Sequence, residues 1–386
     1  MRGKVDCGEL RHRCDRHGLR PMKAWLQEGF TKKLFKPDDF SIRELAETLV
    51  DDGREWVEGM GPGKSSQFFE AGAVQTGVFT SITGQIFYNS VLEGFTLPEF
   101  VISQLIPVQT GAEINGERIA GVSQIGDQAE VVDESMPYPM VGVSEDWIDS
   151  PATQKQGLIC GVTREAVYAD KTGQLMQRCR DVGYALGLTY EKAAIDCVID
   201  ENTTRHRYRW RNTSFATFQA TTPWINTQTN ALVDWTDIDN ANQLFNAILD
   251  PMTGEPVLLK PDTLICTQQL EMTAKRIRNA TEITVVTPGF ATTGNPTETR
   301  VANPMQGAFE VVTSPLVAAR LATDTSWFYG DPRKAFVFME CWPLSVEQAP
   351  TTSEDNFKRD IVSQYRADRR GAYFVREPRR MNRNVA

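Results

Sequence analysis

The chain has 386 residues, of which 41% are hydrophobic and 24% charged, so it can form about two or three globular domains with a substantial buried core. Its formal net charge of −9 argues against a groove-reading DNA-binding protein, because such proteins carry a basic footprint. Its seven scattered cysteines predict reduced thiols rather than a disulfide framework, and no apolar run approaches the roughly 18 residues of a membrane span.

The charges are sorted along the chain. Residues 1–36 carry ten basic and four acidic side chains, and residues 356–386 carry nine basic and three acidic ones. Between them, residues 99–154 carry ten acidic side chains and a single basic one, Arg118. This sorting predicts surfaces that meet, either within one molecule or between copies.

The first hundred residues predict few regular elements. Residues 1–36 are expected to be irregular, with a short helix near Met22–Phe30. Ser41, with Glu44 three residues later, is a capping box that predicts a helix from Phe40 to Met60. Residues 68–98 are apolar and small, and they indicate a short helix or a strand.

Residues 99–154 predict an extended β arm. Val101–Val108 is expected to be a strand, Asn115-Gly116 a turn, and Val141–Val143 a returning strand. A long, acidic and poorly hydrophobic hairpin cannot bury itself well, so it needs a partner surface.

A long helical stretch follows. Thr172 is the expected N-cap, and the apolar residues after it recur at helical spacing: Leu175, Cys179, Val182 and Leu186. Gly187 and Thr189 are expected to end this helix and to begin a second one, Tyr190–Asp200. Together they span about 40 Å if nearly straight.

Residues 205–211 alternate arginines with His206, Tyr208 and Trp210. On a strand, Arg205, Arg207, Arg209 and Arg211 would share one face. This face could hold nucleic acid by phosphate contacts and base stacking. The favoured alternative is an edge strand with its aromatic rings inward and its arginines on a neighbour's acidic groups.

The second half of the chain predicts a small α+β arrangement. Thr236 is expected to cap a helix that ends near Leu249, before a turn at Asp250–Gly254. The expected order is then a strand at Thr263–Thr267, a helix at Gln268–Asn279, a strand at Ile283–Thr287 and a loop at Pro288–Pro304. Four closing strands are expected at Trp327–Tyr329, Ala335–Met339, Ile361–Arg366 and Gly371–Val375, with a hairpin turn at Arg369–Gly371.

The sequence contains few candidate motifs for catalysis or for ligand binding. Gly61–Ser66 only partly matches a phosphate-binding loop, because Glu58 stands where the motif needs a glycine. Cys7, His12, Cys14 and His17 have a spacing that fits no common zinc module. We therefore predict no catalytic, cofactor-binding or metal-binding residue, and a structural protein rather than an enzyme.

Four segments, taken in order, resemble the major capsid proteins of tailed bacteriophages, which have the HK97-type fold. Residues 162–200 resemble the spine helix, 260–279 a strand–helix pair of the axial domain, 327–349 the closing strands and 356–375 the terminal hairpin. The resemblance implies an N-terminal arm (1–60), the start of a peripheral domain (61–98), an extended loop (99–154), a peripheral domain with the spine helix (155–235), an axial domain (236–325), and closing strands with a C-terminal tail (326–386).

The resemblance also implies a function. The protein would assemble with itself into hexamers and pentamers of an icosahedral head enclosing double-stranded DNA, would form in the host cytoplasm and would reside in the virion. Its other partners would be a portal and scaffolding or decoration proteins, with no membrane. The candidate intersubunit contacts are Glu113, Glu117, Arg118, Asp127, Glu130, Asp133 and Glu134, and Arg205, Arg207, Arg209 and Arg211 are candidates for DNA or neighbour contact. The alternatives are an encapsulin-like shell with an enzyme cargo, and a nucleotide-binding enzyme that uses Gly61–Ser66.

Overall fold

The computed structural model describes residues 5, 7–50, 52–59, 77–111, 114–116, 118–121, 131–138, 146–201, 207–210, 213–221, 224–250, 253–287, 297–321, 323–349 and 361–385. It mixes helices and sheets, as expected, and divides into two compact units. Unit 1 comprises Met1–Phe100, Gln154–Tyr190 and Trp342–Arg370, and unit 2 comprises Val101–Thr153, Glu191–Cys341 and Gly371–Ala386.

The helices, in chain order, are α1 (Cys7–His17), α2 (Leu19–Thr31), α3 (Ile42–Leu49), α4 (Gly53–Gly59), α5 (Gly77–Phe95), α6 (Ile102–Leu105), α7 (Arg164–Tyr168), α8 (Thr172–Ile199), α9 (Trp235–Asn246), α10 (Gln268–Asn279), α11 (Pro315–Ala318) and α12 (Pro332–Ala335). Within the described ranges, none of them combines the length and the apolar character that a membrane crossing requires.

The strands are β1 (Val108–Thr110), β2 (Arg118–Ala120), β3 (Asp146–Asp149), β4 (Gln154–Thr163), β5 (Tyr208–Trp210), β6 (Thr213–Ser214), β7 (Thr227–Thr229), β8 (Thr263–Cys266), β9 (Glu282–Thr287), β10 (Thr297–Ala302), β11 (Glu310–Thr313), β12 (Trp327–Gly330), β13 (Phe336–Gln348), β14 (Ile361–Val375) and β15 (Met381–Val385). They form sheets with the orders β1-β13-β14-β4, β2-β3-β5-β6, β11-β8-β12-β15-β7 and β10-β9.

The expectation of an irregular N-terminus is wrong, because α1 and α2 occupy most of residues 7–31. These helices bury Cys7, Leu10, Met22 and Leu26 in the apolar core of unit 1, while most of their basic side chains lie on the exposed side. The two helices are stabilised by this narrow apolar face. The high number of basic residues in the segment concealed the apolar face in the sequence.

Ser41 caps α3 as predicted, because its hydroxyl accepts a hydrogen bond from the Glu44 amide at 3.2 Å. The helix ends at Leu49 rather than running to Met60. Asp52 then adopts a φ of 55°, and α4 starts at Gly53. The predicted single helix is therefore two helices, α3 and α4.

The long helix α8 is continuous over 28 residues, or about 42 Å, so the predicted break at Gly187 and Thr189 is wrong. A Cβ on Gly187 would lie 2.4 Å from the Phe100 ring, and one on Gly183 would lie 2.0 Å from the Val91 carbonyl oxygen. These glycines allow close approach of neighbouring chain segments and do not end the helix. Nor does Thr172 act as a simple cap, since its hydroxyl accepts from the Ile42 amide and donates to Asp170.

The core of unit 1 lies between the helices α8 and α5 and the strands β4 and β14. Its buried members include Leu175, Met176 and Leu186 from α8, Ile82, Ile86, Phe87 and Val91 from α5, and Tyr365 from β14. The rings of Phe87 and Tyr365 pack edge to face at 4.5 Å, and the Tyr365 hydroxyl lies 2.8 Å from the Thr83 hydroxyl. Residues 77–95 are thus helical, which settles the open choice between helix and strand there.

Unit 2 is built on its five-stranded sheet. Strand β8 and helix α10 lie where the sequence predicts them. Helix α9 begins at Trp235, and its N-cap is Asp234 rather than the predicted Thr236. Asp234 accepts from the Thr236 amide at 2.8 Å. A carboxylate is a better cap than a threonine hydroxyl at a helix start, where the partial charge of the backbone is positive.

One predicted turn and one predicted loop are wrong. The turn at Arg369–Gly371 lies inside the continuous strand β14, where a Cβ on Gly371 would lie 2.2 Å from the Phe338 ring. The loop expected at 288–304 contains β10, which pairs with β9 in antiparallel fashion. Strand β15 was not predicted at all.

The strand predicted at Val101–Val108 is also wrong, because most of it is the short helix α6. The fully buried carboxylate of Glu191 accepts hydrogen bonds from the amides of Ile102 at 2.9 Å and Ser103 at 2.8 Å. This distant acceptor satisfies the first amides of α6, and no local pattern in the sequence could have signalled it.

Candidate intersubunit surfaces

Two strands of the acidic segment, β2 and β3, pair in a small sheet. Strand β2 pairs with β3 in antiparallel register, with Arg118 opposite Asp149, and β3 pairs with β5, with Ile148 opposite Tyr208. Ile148 and Tyr208 are buried, which anchors this sheet in the core of unit 2. The predicted returning strand Val141–Val143 lies outside the described residues.

Two arginines share one carboxylate on this sheet. The Asp149 carboxylate lies 2.5 Å from Arg209 Nε and 3.5 Å from Arg118 Nε, and the Arg118 guanidinium also lies 5.1 Å from the centre of the Trp147 ring. The Arg118 side chain is 75% exposed, so each pair contributes about 1 kcal/mol or less. The cluster therefore adds little to the stability of this sheet.

Strand β5 matches the favoured alternative for residues 205–211 in part. Tyr208 points into the core and Arg209 pairs with an acidic neighbour, as that alternative requires. It is not an edge strand, since it lies between β3 and β6. Arg209 is thus engaged with Asp149, which weakens the case for phosphate binding on this strand.

Residues 131–138 form an exposed segment with a mixed apolar and acidic surface. Val131 is 95% exposed, Tyr138 84% and Met136 63%, and Asp133 and Glu134 between them are exposed as well. The Met136 amide donates to the Asp133 carbonyl at 3.1 Å, which makes a tight turn. Large apolar side chains held this openly are typical of a surface that a partner covers.

The C-terminal basic segment is largely used inside the fold. Arg379 is 1% exposed and binds the Glu377 carboxylate at 2.7 and 2.9 Å and Asp250 at 3.2 Å. Burial would lower the pKa of Arg379, but the carboxylates raise it above its ordinary value, so it stays charged. Arg383 binds Glu201 at 2.6 Å.

Further basic residues of this segment serve unit 1. The Arg369 guanidinium lies over the rings of Phe95 and Tyr190, at 5.3 and 4.8 Å. Asp368 accepts from Lys155 at 2.6 Å and from the Ser345 hydroxyl at 2.7 Å. The described residues of the second basic segment therefore mainly make internal contacts, whereas α1 and α2 keep exposed basic side chains, among them Arg16 and Arg20.

The structure places the predicted contact residues unevenly. Arg118 lies on β2, Arg207 and Arg209 lie at β5, and Asp133 and Glu134 lie in the exposed segment. The remaining candidates lie outside the described residues: Glu113, Glu117, Asp127, Glu130, Arg205 and Arg211, as does Gly61–Ser66. Asp149 was not among the predicted contact residues. The signal available in the sequence was the presence of an acidic hairpin and an arginine-rich strand in the same chain.

The Cys7–His17 cluster lies on α1, with Cys7 buried and both histidines exposed. Across the part of the chain that the structure describes, no group of three or more His, Cys, Asp or Glu side chains could hold a metal ion.

Residues 148–384, more than half of the chain, match the phage capsid protein family, and the chain belongs to this family. The prediction of a capsid protein is thus confirmed, and the protein is a structural component of the virion. Comparison with curated protein sequences finds no significant match.

Solved structures similar to this chain come from several sources. A virus-like particle from Pyrococcus furiosus is 11% identical, with 77% of this chain and 97% of that one covered and a TM-score of 0.41. A chain of Mycobacterium phage Bobi is 13% identical, with 74% and 89% covered and a TM-score of 0.41. A phage-related protein from Bordetella bronchiseptica RB50 is 8% identical, with 78% and 95% covered and a TM-score of 0.43.

Proposed function

We propose that this protein is the major capsid protein of a tailed phage, that it has the HK97-type architecture, and that it assembles into the hexamers and pentamers of an icosahedral head around double-stranded DNA. The family match over residues 148–384 carries the proposal. The proposed layout keeps an N-terminal arm (1–60), a peripheral domain that starts at 61–98 and includes 155–235, an extended loop (99–154), an axial domain (236–325) and the closing strands with the tail (326–386).

The mechanism is association between copies. In this proposal residues 131–138 lie on a neighbouring subunit, which would cover Val131, Met136 and Tyr138. Apolar burial would supply most of the affinity, and the acidic groups Asp133 and Glu134 would set partner choice by meeting basic side chains. The exposed position of all five side chains supports this role.

The exposed basic side chains of α1 and α2 are the proposed partners of this acidic surface, or of DNA phosphates. Contact with packaged DNA would be non-specific and weakened by salt, because it depends on neutralising phosphates. Arg209 is a weaker candidate for DNA contact than these side chains, because Asp149 already binds its guanidinium. A portal and scaffolding or decoration proteins would be the remaining partners.

A charge-reversal experiment tests the proposed contact. Asp133→Lys with Glu134→Lys should lower particle yield roughly tenfold or more, because like charges would face each other at the interface. The matched control is Glu55→Lys with Glu58→Lys, two exposed positions on α4 that give the same change in net charge. Particles are counted by negative-stain microscopy, and circular dichroism verifies that each variant is folded.

The control variant should assemble normally, because Glu55 and Glu58 lie outside residues 131–138 and take no part in the proposed contact. Normal particle yield from the Asp133 and Glu134 variant would refute the proposed contact. Equal loss in both variants would show that net charge alone governs assembly, and this too would refute it.

A further inference from the structure

Two buried thiols face each other inside unit 1. Cys160 lies on β4 and Cys179 lies on α8, and their Sγ atoms are 3.4 Å apart. Cys160 is 7% exposed and Cys179 is completely buried. Both residues belong to the apolar core that joins the sheet to the long helix.

We propose that Cys160 and Cys179 form a disulfide within one subunit when a peroxide-class oxidant reaches the reduced protein. The bond would fasten β4 to α8. Thiols remain reduced in the cytosol, and disulfides persist in oxidising surroundings outside the cell.

The surroundings of the pair favour the first step. The hydrogen bond from the Cys179 thiol lowers the pKa of Cys160, against burial that would raise it, and the nearby charge of Arg178 also lowers it. The thiolate is the nucleophile in thiol oxidation. Cys160 is the more exposed of the two thiols, at 7% against 0% for Cys179, so a small oxidant reaches Cys160 first.

The chemistry balances with hydrogen peroxide as the oxidant. The Cys160 thiolate attacks one peroxide oxygen and breaks the O–O bond, which gives a sulfenic acid and hydroxide. The Cys179 sulfur then attacks Cys160 Sγ and expels the sulfenic oxygen as hydroxide. The thiol protons convert both hydroxides to water, so two thiols and one peroxide give one disulfide and two water molecules.

The bond would stabilise the folded unit. It closes a loop between residues 19 positions apart, which reduces the conformational freedom of the unfolded chain. Since the sulfurs already touch, little rearrangement of the core is needed to reach bonding distance. We expect the melting temperature of the oxidised protein to rise by about 5 °C or more.

Mass spectrometry after peroxide treatment tests the proposal. The full-length protein is treated with hydrogen peroxide, its remaining thiols are alkylated under denaturing conditions, and it is digested with trypsin without reduction. Cleavage at Lys155, Arg164, Arg178 and Arg180 should release the peptide Gln156–Arg164 linked to the dipeptide Cys179–Arg180. The matched control is Cys341→Ser, which removes a half-buried thiol and should leave this linked peptide unchanged.

The variants Cys160→Ser and Cys179→Ala should each lose the linked peptide and the rise in melting temperature. In the unaltered protein, recovery of both cysteines alkylated, or of Cys160 oxidised to the sulfinic acid with Cys179 still a thiol, would overturn the proposal. The experiment does not depend on shell assembly, so its failure is distinguishable from failure of the proposed function.

Discussion

Replacing Arg379 with methionine should strongly destabilise unit 2. The guanidinium is the cation for two buried carboxylates, since Asp250 is 1% exposed and Glu377 is nearly as buried. The change Arg379→Met keeps much of the side-chain volume but leaves both carboxylates without this partner. Removing one member of a buried ionic cluster costs about 3–5 kcal/mol, a large share of the roughly 5–15 kcal/mol that stabilises a typical domain.

The change Arg379→Lys should cost less, about 1–3 kcal/mol, because it keeps the charge and loses the forked geometry that binds both Glu377 oxygens. Arg383→Met is the matched control, because Arg383 binds Glu201 at 2.6 Å in a partly exposed position. Its loss should cost about 1 kcal/mol.

The measurement is urea unfolding of unassembled subunits, followed by tryptophan fluorescence. We expect the urea midpoint to fall furthest for Arg379→Met, less for Arg379→Lys and least for Arg383→Met. A midpoint for Arg379→Met equal to or above that of Arg383→Met would refute the conclusion that the C-terminal basic segment is built into the core.

Three further predictions concern α8 and the sheet of unit 1. Gly183→Ala should cost about 2 kcal/mol or more in thermal unfolding, because its Cβ would lie 2.0 Å from the Val91 carbonyl oxygen, whereas the control Gly173→Ala, with open space around it, should be neutral or stabilising. Glu191→Gln should accelerate hydrogen exchange at the two backbone amides that the carboxylate binds at the start of α6, and unchanged exchange would contradict this role. Burial would raise the pKa of Asp368, but hydrogen bonds and nearby cations outweigh it and hold that pKa below its ordinary value. The Asp368 carboxylate therefore stabilises the fold above its unfolded pKa of about 3.9 and loses this effect as the pH falls through its lower folded pKa. Asp368→Asn should accordingly be less stable than the unaltered protein at pH 6, with the difference shrinking toward pH 2, and a difference independent of pH would contradict the assignment.

The parts of the fold that local patterns determine were predicted well. The Ser41 cap, helix α10 and strand β8 lie where capping chemistry and hydrophobic spacing placed them. Glycine was one source of error. Gly187 and Gly371 were interpreted as a helix end and a turn, but each permits close packing against an aromatic ring that is distant in sequence.

The charge pattern was misleading at the C-terminal end of the chain. The basic count in residues 356–386 did not reveal that Arg379 and Arg383 bind carboxylates within unit 2, because those partners, Asp250 and Glu201, lie far away in the sequence. The need of the acidic segment for a partner surface stays a prediction, and the exposed side chains of Val131 and Tyr138 are the observation that motivates it.

Cryo-electron microscopy of particles purified from a bacterium expressing the full chain tests the central claim most directly. The account predicts closed shells in which the subunits form rings of five and six, with residues 131–138 covered by an adjacent copy. Subunits that remain monomeric, or that form shells in which these residues stay exposed to solvent, would contradict it.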